Sequence, residues 1–357
     1  MQSIANIFFT FQFLMKNKKR TTIYDIAEKL NVAASSVSRA LSNSGHVNEA
    51  TKKMIVKTAA EMNYNRNSVA SNLRMGKSRI IGVVVPFINQ NYFANVIAGI
   101  EEAAYQKGYN LIICQSSELQ KKEVQCINTL INQQVDCIVI SISVDTYDYT
   151  HLQHVIDSGI ELIQFDRVVD ELETLKVIND NEQASFEAVS HMIEKGYKRI
   201  ALLEGPQNLS IFRQRKTGYQ NALKKYGVPI LDELMIENAW TKELSAGATK
   251  KLLSLPQPPD AIFASTSDFS ALGVHEVASA MGIKVPSELG ICGYSNEAFT
   301  EITSPSITTI DQFSVYMGKT VANLYFQELE SKDDTAVVPK IISIKPKLLI
   351  RSSTAKN

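Results

Sequence analysis

Two kinds of hydrophobic spacing divide this chain. Over Thr22–Leu41 (TIYDIAEKLNVAASSVSRAL) apolar residues recur every three or four positions, the period of a helix buried on one face. Thr22 is a good N-cap, and Ile23, Ile26, Ala27 and Leu30 share one face. Asn31 falls where the chain must turn, and Asn tolerates the left-handed conformation. A second helix then buries Val37 and Leu41 and turns Ala34, Ser35, Ser38 and Arg39 outward. A third runs from about Glu49 to Asn63, with Val56, Ala59, Ala60 and Met62 apolar. NSVASNLR, Asn67–Arg74, is a short weak helix that orders only against a partner surface.

From Ile80 the period changes. Continuous apolar runs (IIGVVVPF, LIICQS, CIVISIS, ELIQFD) alternate with helices at Tyr92–Lys107, Lys121–Gln134 and Tyr149–Asp157. A second set follows: KRIALLEG, helix Ile211–Tyr226, a strand near Met235, helix Leu244–Leu253, AIFAST, helix Phe269–Ala280 and GICGY. Strands apolar on both faces, separated by amphipathic helices, mean parallel sheets covered on both sides. The expected fold class is an all-α helix-turn-helix head followed by an α/β core of two doubly wound parallel-sheet lobes. In such sheets ligands sit in the crevice beyond the strand C-terminal ends. Periplasmic sugar-binding proteins share this core architecture, but this chain carries a helix-turn-helix head and no signal peptide.

A head of two helices and a tight turn is not by itself a DNA reader, and charge changes the picture. The 357 residues hold 37 Lys and Arg against 37 Asp and Glu, a net charge of zero. From Lys16 to Arg79, however, there are 13 Lys and Arg against 4 Asp and Glu, leaving 24 against 33 in the remainder. A basic head on a mildly acidic body is the footprint of phosphate contact at one end. A short polar helix face with an arginine fits a major groove, where arginine reads guanine and serine contacts base edges or phosphate.

The four cysteines (Cys114, Cys126, Cys137, Cys292) have no metal-ligand spacing, and three fall in apolar strand or helix runs and read as buried small hydrophobes in a reducing cytosol. No metal or cofactor is expected. The first 14 residues, MQSIANIFFTFQFL, are apolar but too short to span a bilayer and lack a charged n-region. The expected translation start is Met15, which the intact mass of the native protein would test.

In order along the chain, TIYDIAEKLNVAASSVSRAL, HVNEATKKMIVKTAAEMNYNRNSVASNL, RIIGVVVPFINQNYFANVIAGIEEAAYQKGYNLIIC, KGYKRIALLEGP, FRQRKTGYQNAL, PDAIFASTSDFSALG, VPSELGICGYSN and SPSITTIDQ resemble the motifs of the lactose/galactose-repressor family of bacterial transcription regulators. The resemblance runs from about residue 21 to the end. It implies an extension at 1–20, a DNA-binding head at 21–66, a hinge at 67–78 and an effector-binding and dimerisation core at 79–357. Lobe one is expected at about 80–178 and 311–340, lobe two at about 179–310 and 341–357.

The resemblance also implies roles. Ala34, Ser35 and Arg39 match base-reading positions, while Thr22, Ser36 and His46 match backbone contacts. In the family the hinge helix forms against its dimer mate on operator DNA, and a leucine wedges into the minor groove. Leu73 matches it, beside Asn67, Ala70 and Arg74. Such a wedge unstacks a base step at a cost of a few kcal/mol that wider contact offsets; an ordinary interface leucine is the plainer reading. Ser71 stands where the family often has a basic residue, which passes phosphate contact to Arg66 and Arg74.

Strand ends supply the candidate effector residues: Phe87, Asn89, Tyr92 and Phe93 after the first strand, Asp166 and Arg167 after the fourth, and Arg215, Trp240, Asp268 and Asn296 in the second lobe. Flat rings stack on sugar or base faces, and Asp and Arg fix hydroxyls. By resemblance Arg215 and Asp268 match the family's most constant effector contacts and Trp240 its aromatic lid. Capping would equally account for Asp268, an ion pair for Arg215 and core packing for Trp240. Phe87 and Ser295-Asn296 replace carboxylates common in the family, which tilts the ligand toward a nucleoside or a less hydroxylated sugar derivative.

The expected protein is a cytoplasmic homodimer that binds a near-palindromic operator on double-stranded DNA, with affinity controlled by a sugar-like or nucleoside-like effector. SIKPKLLIRSSTAKN at the C-terminus shows no apolar heptad tail, so a dimer and not a tetramer is expected. An enzyme is disfavoured by the lack of a phosphate-cradling glycine motif, metal spacing or a nucleophile–base pair. A third reading keeps the head but makes a partner protein the signal, as in the catabolite-control members, which bind a phosphocarrier.

Overall fold

A computed structural model describes residues 21–42, 47–64, 77–331 and 340–356. The chain forms two compact units, Met1–Gly76 and Lys77–Asn357. The expected translation start, His46, and the hinge positions Asn67, Ala70, Leu73 and Arg74 lie outside the described residues.

In the head, helices Ile23–Leu30, Ala34–Ser42 and Glu49–Glu61 enclose a small core of Ile26, Ala27, Val37, Ala40, Ile55 and Ala59. Thr22 closes a capping box: its hydroxyl accepts from the Asp25 amide, and its own amide donates to the Asp25 carboxylate at 2.7 Å. Asn31 takes φ 51° and ends the first helix, which is why an asparagine stands at the turn. The third helix turns one position from expectation: Ile55 is buried and Val56 is 49% exposed.

The core contains two parallel sheets. The first has β1 (Ile80–Val85), β2 (Asn110–Gln115), β3 (Cys137–Ile140), β4 (Glu161–Phe165), β5 (Leu175–Asn179) and β11 (Ile341–Ile344), ordered β11-β5-β4-β3-β1-β2. The second has β6 (Ile200–Leu203), β7 (Met235–Ile236), β8 (Ala261–Ala264) and β9 (Gly290–Cys292), ordered β7-β6-β8-β9. The two-residue alternation of a strand sends neighbours to opposite faces. Val83 and Val85 join one apolar cluster while Val84 joins the other; Ile200 and Leu202 part from Ala201 and Leu203 in the same way. Each sheet is therefore covered on both faces, as continuous apolar runs require.

One boundary differs from expectation. Ile341–Ile344 pairs in parallel with Lys176–Asn179 and so belongs to lobe one, not lobe two. The chain returns to lobe two only at β12 (Lys347–Leu349), which pairs antiparallel with β10 (Thr309–Asp311). Three crossings thus link the lobes, and side chains join them. The Gln312 amide donates to Asn179 Oδ1 at 3.1 Å, and the Asn179 amide reaches the carbonyls of Gln312 at 3.3 Å and Ile344 at 3.5 Å. Asn179 is 1% exposed and Gln312 3%, so this hinge knot is shielded from water.

In lobe one, helices Asn91–Gln106 and Ser314–Ser331 pack at nearly backbone distance through Gly99 and Gly318. A Cβ on Gly318 would lie 2.0 Å from the Val96 carbonyl oxygen.

Candidate functional site

A cleft of about 620 Å³ opens between the lobes beyond the strand ends. Eight of the ten expected effector residues line it: Phe87, Asn89, Tyr92, Phe93, Asp166, Arg167, Arg215 and Trp240. They come from the loop after β1, the start of the helix Asn91–Gln106, the turn after β4, the helix Ser210–Lys225 and the segment after β7.

Backbone strain gathers here. Glu118, Asp166, Ser295 and Asn296 hold φ of 60°, 58°, 121° and 56°, the left-handed region that non-glycine residues seldom occupy. Such conformations cost of order 1–3 kcal/mol each, persist only where neighbours over-determine them, and cluster at ligand sites. At Asn296 the fixing bonds run from its side-chain Nδ2 to Asp311 at 3.2 Å, from Arg351 to its side-chain Oδ1 at 2.9 Å, and from its backbone N–H to the Thr309 hydroxyl at 3.2 Å.

Arg215 is 2% exposed. Its Nε donates to Asn181 at 2.8 Å, its Nη1 to the Ser265 carbonyl at 2.7 Å, and its plane lies 3.6 Å from the Tyr294 ring centroid. Among the described residues its bonds go to an amide and a carbonyl and not to a carboxylate, so it is not the plain ion pair that was the alternative. Arg167 bonds both carboxylate oxygens of Glu118 through Nη1, at 2.8 and 2.9 Å. Burial would lower the Arg167 pKa, but Glu118 and Asp166 outweigh it and raise it. Burial raises Asp166, with Arg167 and Arg215 pulling back. Burial also drives the Tyr92 hydroxyl well up, reinforced by the Asp166 charge. Tyr92 Oη and Arg167 Nε are buried without a hydrogen-bond partner. Buried polar atoms are normally paired; here the Asp166 carboxylate lies beside both, 4.0 Å from Arg167 Nε.

Two expected residues do not line the cleft. Asp268 is fully buried, accepting from the Thr309 hydroxyl at 2.6 Å and the Glu297 amide at 2.7 Å. Glycine at 293 makes room for it, since a Cβ there would meet Asp268 Oδ1 at 2.1 Å. Asp268 is not the cap either: Ser267 accepts from the Ser270 amide. Asp268 instead braces the loop after β9 from behind. Asn296 faces Arg351 and Asp311 for the reason given above.

Glu118, Phe212, Thr241, Ser267, Glu297 and Gln312 also face the cleft. Glu118 and Glu297 follow β2 and β9, so the strand-end rule applied to every strand would have found them. Phe212 lies one helical turn before Arg215 and was findable in the same way. Gln312 carried no signal, because the hinge it occupies is assembled from distant segments. Burial pushes Glu297 up to about 7, the Asp268 charge adds to this, and the Tyr92 backbone N–H, facing it from the other lobe, opposes both. Asp268 is pushed up to about 6 by burial, against its hydrogen-bond donors.

In the head, Thr22, Ser35 and Arg39 are exposed, while Ala34 and Ser36 are half-buried. Ser35 and Arg39 stand one helical turn apart on the same face of the second helix. Among the described residues no cluster of His, Cys, Asp and Glu could hold a metal, and no helix is long and apolar enough to cross a membrane. Cys137 and Cys292 are buried as expected of small hydrophobes; Cys114 and Cys126 are only partly so.

A three-helix head with an exposed arginine, followed in the chain by a two-lobed core with a cleft between its lobes, is the architecture of a helix-turn-helix DNA-binding regulator. Residues 22–67 match the family described as bacterial regulatory proteins, lacI family, and residues 78–344 match the periplasmic binding proteins and sugar binding domain of LacI family. The chain belongs to the LacI family and is a DNA-binding transcription regulator with a helix-turn-helix head. It is 32% identical to the HTH-type transcriptional repressor CytR of Escherichia coli (strain K12), across 89% of this chain and 93% of CytR. It is 30% identical to catabolite control protein A of Priestia megaterium, across 93% and 99% respectively. The lac repressor dimer bound to operator and the anti-inducer ONPF shares the fold, with TM-score 0.82 and 23% identity over 94% of this chain and 99% of that one.

Proposed function

We propose that this protein is a homodimeric, cytoplasmic repressor whose affinity for a near-palindromic operator is set by a small molecule held between the core lobes. The observation that carries the reading is the cleft itself: rings from both lobes, the polar groups of Tyr92, Asp166 and Arg167, and strained strand ends, next to three bonded crossings. Closing the lobes on a ligand would move groups that share one hinge, the mechanical requirement for coupling to the DNA-binding end. Coupling of this kind is worth typically 1–3 kcal/mol and is reciprocal. The relatives' names fit a repressor and not an enzyme. In the head, Ala34, Ser35 and Arg39 read bases and Thr22, Ser36 and His46 contact the backbone; in the hinge, Leu73 enters the minor groove, Arg74 contacts phosphate, and Asn67 and Ala70 join the DNA-binding surface.

The test begins with selection of the operator from a random duplex pool by the purified protein. Titration of sugars and nucleosides then follows Trp240 fluorescence and operator affinity together, since Trp240 is the sole tryptophan and lines the cleft. A compound that changes both supports the reading. Compounds that leave both unchanged, with operator binding intact, refute small-molecule control and point to a partner protein.

A further inference from the structure

Two of the four cysteines meet in lobe one. Strand alternation turns Ile112 and Cys114 of β2 to the face that the helix Gln120–Asn132 covers, while Ile113 points the other way and is 46% exposed. Cys126 lies on that helix, and its Sγ donates to the Gln115 carbonyl, next to Cys114, at 3.7 Å. The two thiols are in hydrogen-bond contact with each other, and both are partly exposed. Cys137 and Cys292 are fully buried.

A thiolate, not a thiol, attacks an oxidant. The hydrogen bond from Cys126 lowers the Cys114 thiol below its ordinary value, against burial. The same bond, with burial, raises Cys126, which keeps its proton. One sulfur is set up to attack and its neighbour to close the bond. The segment between them also reaches the cleft. Ser117 and Glu118 hold φ of 55° and 60°, and Glu118 accepts from Arg167 at 2.8 and 2.9 Å and from the Val144 amide at 2.7 Å. Glu123, buried at the start of the same helix, accepts from the Ser143 amide at 2.6 Å and the Thr146 hydroxyl at 3.0 Å. A bond between Cys114 and Cys126 closes a ring of chain that contains both carboxylates.

We propose that peroxide joins Cys114 and Cys126 in a reversible disulfide within one chain, and that this bond restrains the 116–119 loop and the 143–146 segment bonded to it. The Cys114 thiolate attacks one peroxide oxygen; the O–O bond breaks and hydroxide leaves, giving a sulfenic acid. That hydroxide takes the Cys126 proton. The Cys126 sulfur then attacks the Cys114 sulfur, and the S–O bond breaks with loss of a second hydroxide. The two sulfurs give up two electrons, and the peroxide is reduced to water and hydroxide. Exchange with a dithiol restores both thiols. Disulfides of this transient kind are the ones found in reducing compartments. The chemistry does not depend on what the cleft binds.

The experiment treats the full chain with a few-fold excess of hydrogen peroxide and examines it before and after dithiothreitol. The intact mass is expected to fall by two hydrogens. Two of the four thiols should stop reacting with a thiol reagent in denaturant, and dithiothreitol should return both. Trypsin cuts after Lys121 and Lys122, between the two cysteines, so a non-reducing digest should show joined peptides. Cys126→Ser should abolish the join and leave Cys114 open to trapping by dimedone as a sulfenic acid. Hydrogen exchange across 116–119 and 143–146 should slow several-fold in the oxidised form. Four retained thiols, or a disulfide joining two chains, overturns the site. A disulfide within the chain that leaves exchange unchanged in both segments overturns the restraint. The mass change and its reversal are read on wild type, so neither depends on a variant folding.

Discussion

Replacing Glu297 with glutamine keeps the side chain's shape while removing a charge that the fold resists. Glu297 is 7% exposed, sits beside Asp268 and is opposed only by the Tyr92 backbone N–H, so its pKa is pushed up to about 7 from near 4.5. A carboxyl raised this far is favoured in its protonated form by the folded state. The stability it contributes is complete below about pH 4.5 and is lost as pH rises through about 7. The full displacement corresponds to a ceiling of about 3.4 kcal/mol. Because the carboxylate borders an open cleft, solvent screening reduces this to about 1–2 kcal/mol. Urea unfolding followed by Trp240 emission reports the core alone, since the head has no tryptophan. Glu297→Gln is expected to match wild type closely at pH 5 and to be more stable by about 1–2 kcal/mol at pH 8. Asp268, pushed up to about 6, should leave a smaller decline with pH in the variant. An equal difference at both pH values, or a variant less stable at pH 8, would refute the reasoning.

Other consequences are testable in the same preparations. Arg39→Ala should lose about 1–3 kcal/mol of operator discrimination while ligand-induced Trp240 changes persist; unchanged operator affinity in a gel shift contradicts the base-reading role. Leu73→Ala should lower specific affinity and DNA bending but hardly alter binding to random duplex at the same salt concentration. Equal losses on both DNAs would remove the wedge. Gly318→Ala drives a methyl against the Val96 carbonyl, a 2.0 Å approach that the helices must open to relieve. Overpacking of this kind costs about 1–3 kcal/mol and should lower the urea midpoint of the core; an unmoved midpoint means the helix pair is not closely packed.

Much of the architecture is readable from local pattern alone. A three-to-four-residue period builds the head helices, and Thr22 and Asn31 set the ends of the first one because capping and left-handed turns depend on one residue's own chemistry. Runs such as IIGVVV become strands buried on both faces, and strand ends point to the cleft, so Phe93, Asp166, Arg215 and Trp240 were visible as candidates. Which way a side chain points at a strand end is a different matter. Asp268 turns inward because Gly293 leaves space and Thr309, 41 residues away, supplies a donor.

The chain's own order of residues therefore determined the elements, their faces and the division into a basic head and a two-lobed core, since periodicity and capping act within a few residues. Tertiary structure alone decided that Ile341–Ile344 completes the first sheet, that Asn179, Gln312 and Ile344 meet at one hinge, and that Glu118 occupies Arg167. Asn179 and Ile344 lie 165 residues apart along the chain. Contacts across such separations depend on which lobe each crossing enters, and that follows from packing and not from any local period.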